Sequence, residues 1–306
     1  MNDARNHLTP NQRAWQRFRR NRAAVAGGWW LLIFVALALL WPWLSPYHPD
    51  SIGEAQFAAP SLRHWFGTDV HGRDVLARVL YGARISLVVG AVGAGVSLVI
   101  GVLWGGLAGY LGGRWDGVLM RVVDVLYALP SIIFVIVLMS LLDGIADRFA
   151  AGGASSRSAR LLQFVGLFGG LGAVSWLTMA RIVRGQVLAL RTRPFVEASI
   201  ALGAGHAHVL WRHILPNVLG LVVVYLALTV PAVVLYESFL SFLGLGIQPP
   251  QASLGSLIAE GATQINAVRR YWWLIVPPAA TLASALLALN FLADGLRDAL
   301  DPRADG

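Results

Sequence analysis

Seven stretches of this chain run for at least eighteen residues without a charged side chain: 23–44, 85–113, 125–142, 161–180, 214–236, 238–259 and 271–293. A helix needs about 20 apolar residues to cross the hydrocarbon of a bilayer, and there every backbone N–H and C=O must be satisfied within the segment itself. Helices meet that demand, whereas loops and open strands do not. Six of the windows are read as membrane-spanning helices. The exception is 238–259, where Gln248-Pro249-Pro250-Gln251 breaks a helix at its centre and leaves only about ten apolar residues before the break. That window is read as a re-entrant or outer-surface segment, so an all-α membrane protein of six transmembrane helices is expected.

The first window has a rival reading as a signal peptide, since Arg13, Arg17, Arg19, Arg20 and Arg22 precede it. Signal h-regions run about 7–15 residues and end at a small-residue cleavage site. Residues 23–44 are longer and end on Trp41-Pro42-Trp43, aromatics of the kind that sit at the membrane interface, so an uncleaved span is expected.

Orientation follows from the arginines, which make up all 24 basic residues of the chain. With the N-terminus inside, 15 of them fall on cytoplasmic segments and 9 on outer ones, a bias that places both termini in the cytoplasm. The expected layout is a cytoplasmic tail 1–22, a first span 23–44, an extracytoplasmic loop 45–84, a five-helix core 85–293 and a cytoplasmic tail 294–306. Within the loop, Val75, Leu76, Val79 and Leu80 share one helical face and Arg73, Asp74 and Arg78 the other, the pattern of an interfacial helix.

Composition excludes several functions. Only 13% of residues are charged and 57% are hydrophobic, against about 25% charged in soluble domains. The net charge of +8 comes from arginines flanking apolar windows instead of forming one basic patch, which argues against nucleic-acid binding. There is no Lys, so neither a Walker A loop nor a Schiff base can form, and any ATP must be bound by another chain. There is no Cys, hence no disulfide, thiolate metal site or cysteine nucleophile. The many glycines of 85–113 read as close helix packing, since no strand precedes and no Lys follows them. His206, His208 and His213 have no carboxylate within the same run, so no metal is expected, nor any cofactor in this chain. No hydrolase spacing or nucleophile elbow occurs.

Charges near the spans carry more specific expectations. Asp124 is expected to pair with Arg121 at helical spacing, and Asp294, Arg297 and Asp298 to form a structural ion pair. Glu237 ends the fifth window, where it either faces a substrate path or caps the turn before Ser238.

The most informative segment is 192–216. Pro194 suits the first turn of a helix, Glu197 lies where the helix dipole favours an acid, and Gly203 ends the helix by adopting a left-handed conformation. A second short helix over 206–212 then leads into the fifth span. The product is a helix–glycine–helix knuckle, shaped to insert into a groove on a soluble partner and transmit a rigid-body movement.

The run Glu197-Ala198-Ser199, then Gly203, then Ile214-Leu215-Pro216 resembles the EAA loop of binding-protein-dependent ABC importers. Ser199 replaces the second alanine of that pattern, and His213 stands where it has Ile. Arg212-His-Ile-Leu-Pro-Asn217 is similar to the same segment in the peptide branch of the family. His64-Trp-Phe-Gly-Thr-Asp69, Gly72-Arg-Asp74 and Gly82-Ala-Arg-Ile-Ser86 resemble the N-terminal signature of the C-type permease of dipeptide and oligopeptide importers. Ser241-Phe-Leu-Gly-Leu-Gly246, Asn290 and Asp294-Gly-Leu-Arg-Asp-Ala-Leu-Asp-Pro302 resemble its later ones.

The resemblance implies a type I ABC importer permease fold in a bacterial inner membrane. It also implies a second, homologous permease subunit, two cytoplasmic ATPase subunits carrying ATP and Mg, and an extracytoplasmic substrate-binding protein. Coupling to the ATPase would fall to Glu197, Ala198, Ser199, Gly203, Leu215 and Pro216. Peptides are the implied cargo, although the same subfamily pattern also serves nickel, glutathione and oligosaccharide import. An independent secondary transporter would show ion-coupling carboxylates near mid-membrane or paired broken helices, and neither is visible.

Because the chain lacks every nucleotide-binding loop, the purified chain alone is expected to hydrolyse no ATP. A turnover assay on the isolated chain checks this, with activity expected only after partner ATPases are added.

Overall fold

The computed structural model describes residues 9–151, 156–246, 251–265 and 269–300. Among these the chain is helical: α1 (Pro10–Arg20), α2 (Arg22–Leu44), α3 (Val75–Leu111), α4 (Gly113–Ala128), α5 (Ser131–Ala151), α6 (Ser156–Leu190), α7 (Pro194–Ala201), α8 (His206–His208), α9 (Leu215–Phe242), α10 (Leu254–Thr263) and α11 (Val276–Leu300). The one β interaction among them is an isolated bridge between Thr68 and Asp74.

Among the described residues, four helical stretches are long and apolar enough to cross a membrane: Arg22–Trp43, Val75–Leu111, His206–Phe242 and Trp272–Leu300. A fifth arises if α4 and Ser131–Leu141, bent by 90° at the Leu129-Pro130 break, form one span. The remaining window, 161–180, lies within α6, a helix of 35 residues. At about 1.5 Å rise per residue such a helix exceeds the hydrocarbon thickness.

Two expectations are corrected here. The segment 75–84 is no separate interfacial helix but the opening turns of α3, started by Asp74, whose Oδ1 accepts the Ala77 N–H at 2.8 Å. Arg78, assigned to a polar outer face, is buried, because acidic partners neutralise it as described below. The window 238–259, read as broken near its centre, is interrupted: α9 stops at Phe242 and α10 begins at Leu254. Pro249 and Pro250, to which the sequence pattern assigns the break, fall outside the described residues, and α9 closes before them. Gly244 takes φ +78°, and the Leu245 and Gly244 N–H groups bond back to the carbonyls of Leu240 and Ser241, closing α9 with a Schellman motif.

By its contacts the chain divides into two compact units, residues 1–91 with 230–306, and residues 92–229. In the first, Phe34, Val75, Val79, Ala83, Leu254, Leu257, Trp273 and Leu274 belong to one buried cluster. There α2 lies close against α11 at Gly27, where a Cβ would stand 2.9 Å from the Ala288 carbonyl oxygen. In the second, α3 meets α6 along Gly101, Gly105 and Gly109, one residue per turn. A Cβ at these positions would strike Met179, the backbone of Ala180 and the backbone of Arg184. Small residues at such spacing let two helix backbones approach, which is how helices associate where lipid removes the hydrophobic drive.

Gly105→Ala is therefore expected to destabilise the protein by about 1–3 kcal/mol through overpacking. Gly95→Ala, where a Cβ meets nothing within 4 Å, should be neutral or slightly stabilising through helix propensity. Thermal unfolding of the two purified variants, side by side, checks the difference.

Candidate functional site

The segment joining α6 to α9 is built as follows. Arg193 is extended (φ −83°, ψ 145°) and precedes Pro194, the first residue of α7, with Glu197 in the first turn. Val196, only 1% exposed, pins the short helix into a core with Met179, Val183, Val187, Val209, Ile214, Val218 and Val222. Gly203 takes φ +86°, and the N–H groups of Ala204 and Gly203 bond to the carbonyls of Ser199 and Ile200. This Schellman closure needs the left-handed region that only glycine enters at little cost.

Beyond Gly203 the second short helix expected over 206–212 is not separate. His206 to Phe242 runs as one helix, widened over Val209–Ile214 into a π-helical turn. The Leu215 N–H reaches back five residues to the Leu210 carbonyl. Pro216 supplies the reason: its ring would press on the carbonyl four residues earlier, and a wider turn relieves that clash. The Asn217 side chain donates to the His213 carbonyl at 2.6 Å.

Of the six residues singled out from sequence, Glu197, Ala198, Gly203 and Pro216 are exposed, Ser199 is half-buried and Leu215 is buried. No hydrogen bond or ion pair engages the Glu197 carboxylate among the described residues. Around it stand uncovered apolar side chains: Phe195, Ile200, Trp211 and above all Leu202, which is 89% exposed.

Behind this surface, polar clamps tie together the helices that flank α7. The Arg191 guanidinium donates to the Tyr110 carbonyl at 3.1 Å, covering the C-terminal end of α3 where carbonyls lack helical partners. The Tyr110 hydroxyl meets Nδ1 of His206 at 2.9 Å. Arg184 grips both carboxylate oxygens of Asp116, one of them at 2.6 Å, and so ties α6 to α4. Asp124 pairs with Arg181 at 2.7 Å and not with Arg121, correcting the expectation. Arg181 also lies 3.9 Å from the centre of the Tyr127 ring, so α4 offers it a carboxylate and an aromatic face together. Sequence reasoning missed Asp116, Arg184, Arg191 and Tyr110. The available signal was two acids on α4, Asp116 and Asp124, matched by two arginines near the end of α6, Arg181 and Arg184.

The other unit holds two polar centres. Glu237 is fully buried: its Oε2 accepts from Ser86 Oγ at 2.9 Å and its Oε1 from Ser241 Oγ at 2.7 Å. It is enclosed by hydroxyls instead of facing an open path, and it caps no turn, because α9 continues past it. Nearby, Asp69 accepts from Arg73 at 2.7 Å and Arg78 at 2.9 Å, while Arg78 forms a two-pronged pair with Glu260 at 2.6 and 3.0 Å. Two arginines and two acids balance, which is why Arg78 tolerates 4% exposure. Asp298 accepts from Asn21 at 3.4 Å, and no ion pair joins Asp294, Arg297 and Asp298 among the described residues. Nor do the described residues hold a group of three metal-ligating side chains.

Long apolar helices, glycine-mediated packing and an exposed knuckle between two of them define a membrane-embedded helical protein. Comparison with known proteins specifies the class. Residues 101–306 match the binding-protein-dependent transport system inner membrane component family, and residues 9–61 match the N-terminal TM domain of oligopeptide transport permease C. The chain belongs to this family of transporter permeases. It is 46% identical over 295 residues to the oligopeptide transport system permease protein OppC of Escherichia coli K12, covering 95% of this chain and 91% of that one. It is 42% identical over 295 residues to OppC of Haemophilus influenzae, covering 95% and 88%. To the dipeptide transport system permease protein DppC of Bacillus subtilis it is 43% identical over 299 residues, covering 97% and 87%.

If Arg184 and Asp116 act as a pair, replacing Asp116 by Ala is expected to cost about 1–2 kcal/mol, lowered from the fully buried case because Arg184 is 35% exposed. A double-mutant cycle with Arg184→Gln should return a coupling above about 0.5 kcal/mol, read from unfolding midpoints.

Proposed function

We propose that this chain is one of two permease subunits of an ATP-driven importer that carries peptides across a bacterial inner membrane. On this reading it crosses the membrane six times with both termini in the cytoplasm. Its partners are a homologous permease, two cytoplasmic ATPases that bind ATP and Mg, and an extracytoplasmic peptide-binding protein. The chain itself performs no covalent chemistry. Peptides are favoured as cargo because the relatives matched over nearly the whole chain are named for oligopeptide and dipeptide transport.

The observation that carries the reading is α7 with its cap. An uncovered carboxylate at Glu197 and uncovered Leu202 sit on a short helix whose other side is locked into the core by Val196. An exposed apolar and acidic surface on a rigid mount suits insertion into a groove on a soluble motor. Movement of that motor would push on α7, and through Arg191, Arg184 and Arg181 on α3 and α4, rocking the spans between outward and inward openings.

Gly203→Val and Glu197→Lys test this. A Cβ at Gly203 would meet nothing within 4 Å, so its replacement acts through the backbone alone, at about 1–2 kcal/mol. Uptake of labelled peptide by the assembled transporter is expected to fail in both variants while membrane abundance holds. Wild-type uptake in both removes the coupling role, and disappearance of both from the membrane reduces the knuckle to scaffolding.

A further inference from the structure

The coupling surface leaves one strongly charged element without a role. Arg13, Arg17, Arg19 and Arg20 lie on α1, Arg22 opens α2, and no acidic residue occurs between Asp3 and Asp50. This helix is firmly built. The Thr9 hydroxyl accepts from the Gln12 N–H and the Gln12 side chain accepts from the Thr9 N–H, the latter at 2.9 Å, closing a capping box. Asn21 ends α1 in an extended conformation (φ −80°, ψ 96°), accepts the Ala24 N–H at 3.1 Å to start α2, and donates to Asp298 of α11.

The corner is also seated. Phe18 lies over Gly295 of α11, its ring 3.4 Å from where a Cβ would be, and Trp15 stacks on Phe18 at 5.9 Å while remaining 60% exposed. Arg19, Arg20 and Arg22 are exposed on this mount. Further along α2 the exposed surface turns apolar: Trp29, Trp30, Leu32 and Ile33 are 63%, 48%, 60% and 50% exposed. The arginine that opens α2 thus stands roughly 10–12 Å along the helix axis from the first of that apolar band.

We propose that the α1–α2 corner binds anionic phospholipid headgroups, with Arg19, Arg20 and Arg22 donating to the phosphates and Trp15 lying at the interface. Guanidinium forks match phosphate oxygens two at a time, and each cation near an anionic leaflet raises affinity about fivefold. The apolar band adjoining the arginines selects a lipid over a soluble anion, since only a lipid meets both at once. The inference rests on α2 crossing the bilayer and not on the coupling role of α7.

The test uses the assembled importer in nanodiscs of equal phosphatidylcholine and phosphatidylglycerol, with retained lipid counted by native mass spectrometry. The parent should retain phosphatidylglycerol in preference. The triple variant Arg19→Gln, Arg20→Gln, Arg22→Gln should lose that preference by about a hundredfold, single Arg20→Gln by about fivefold, and the triple Lys variant should keep most of it. Should the triple Gln variant fail to assemble, the parent and Arg20→Gln decide. No preference in the parent, an unchanged preference in the Gln variants, or displacement of the lipid by millimolar inorganic phosphate would overturn the assignment. Transport is not part of the readout, so failure of the importer reading leaves this result standing.

Discussion

The packing of α3 against α6 depends on one physical condition: backbones that touch. In hydrocarbon, burying Leu against Leu gains nothing over burying it against lipid, so association must come from close van der Waals contact. Gly101, Gly105 and Gly109 provide it, and with them α6 comes near enough for Met179, Val183 and Val187 to form a dry core with residues of α9. Val196 then has something to anchor to, and α7 gains its rigid mount. Remove the glycine row and the short helix loses its foundation before any exposed residue is changed.

Charge is handled differently at different places in the chain. Where arginines reach inward they meet carboxylates on neighbouring elements: Arg184 meets Asp116, and Arg78 meets Asp69 and Glu260. Glu237 is instead wrapped in hydroxyls, with Ser86 and Ser241 on its two oxygens and Ser238 beside them at 3.4 Å. Serines from α3 and α9 converge on that side chain, so it works as a fastener between helices. Satisfied polar networks of this type fix one arrangement out of several that apolar packing alone would allow.

Much of the architecture was legible because hydropathy and local turn chemistry act over short distances. The windows 23–44, 85–113, 214–236 and 271–293 appear as long apolar helices, and the left-handed Gly203 follows from a Leu-Gly pair closing a helix that Pro194 begins. What escaped depends on partners far along the chain. Periodicity sets Arg78 opposite Val75 and Val79, as on a surface helix, yet Glu260, 182 residues away, holds it inside. Local spacing pairs Asp124 with the arginine three positions before it, whereas tertiary packing offers Arg181, 57 residues on, with an aromatic ring beside it. Local spacing proposes such pairs, and packing chooses among them.

The π-helical turn at Val209–Ile214 has a geometric corollary. An α-helix advances about 100° per residue, so one residue looped into a wider turn rotates everything on its far side by that angle relative to an unbroken helix. The side chains from His206 to His208 therefore point in directions set by the π turn as well as by the sequence of α9, and the meeting of His206 with Tyr110 depends on that phase. An unbroken α-helix of the same residues would turn those side chains by that angle, away from Tyr110. Pro216, by holding the wide turn open, sets the angle at which the knuckle's second arm is presented.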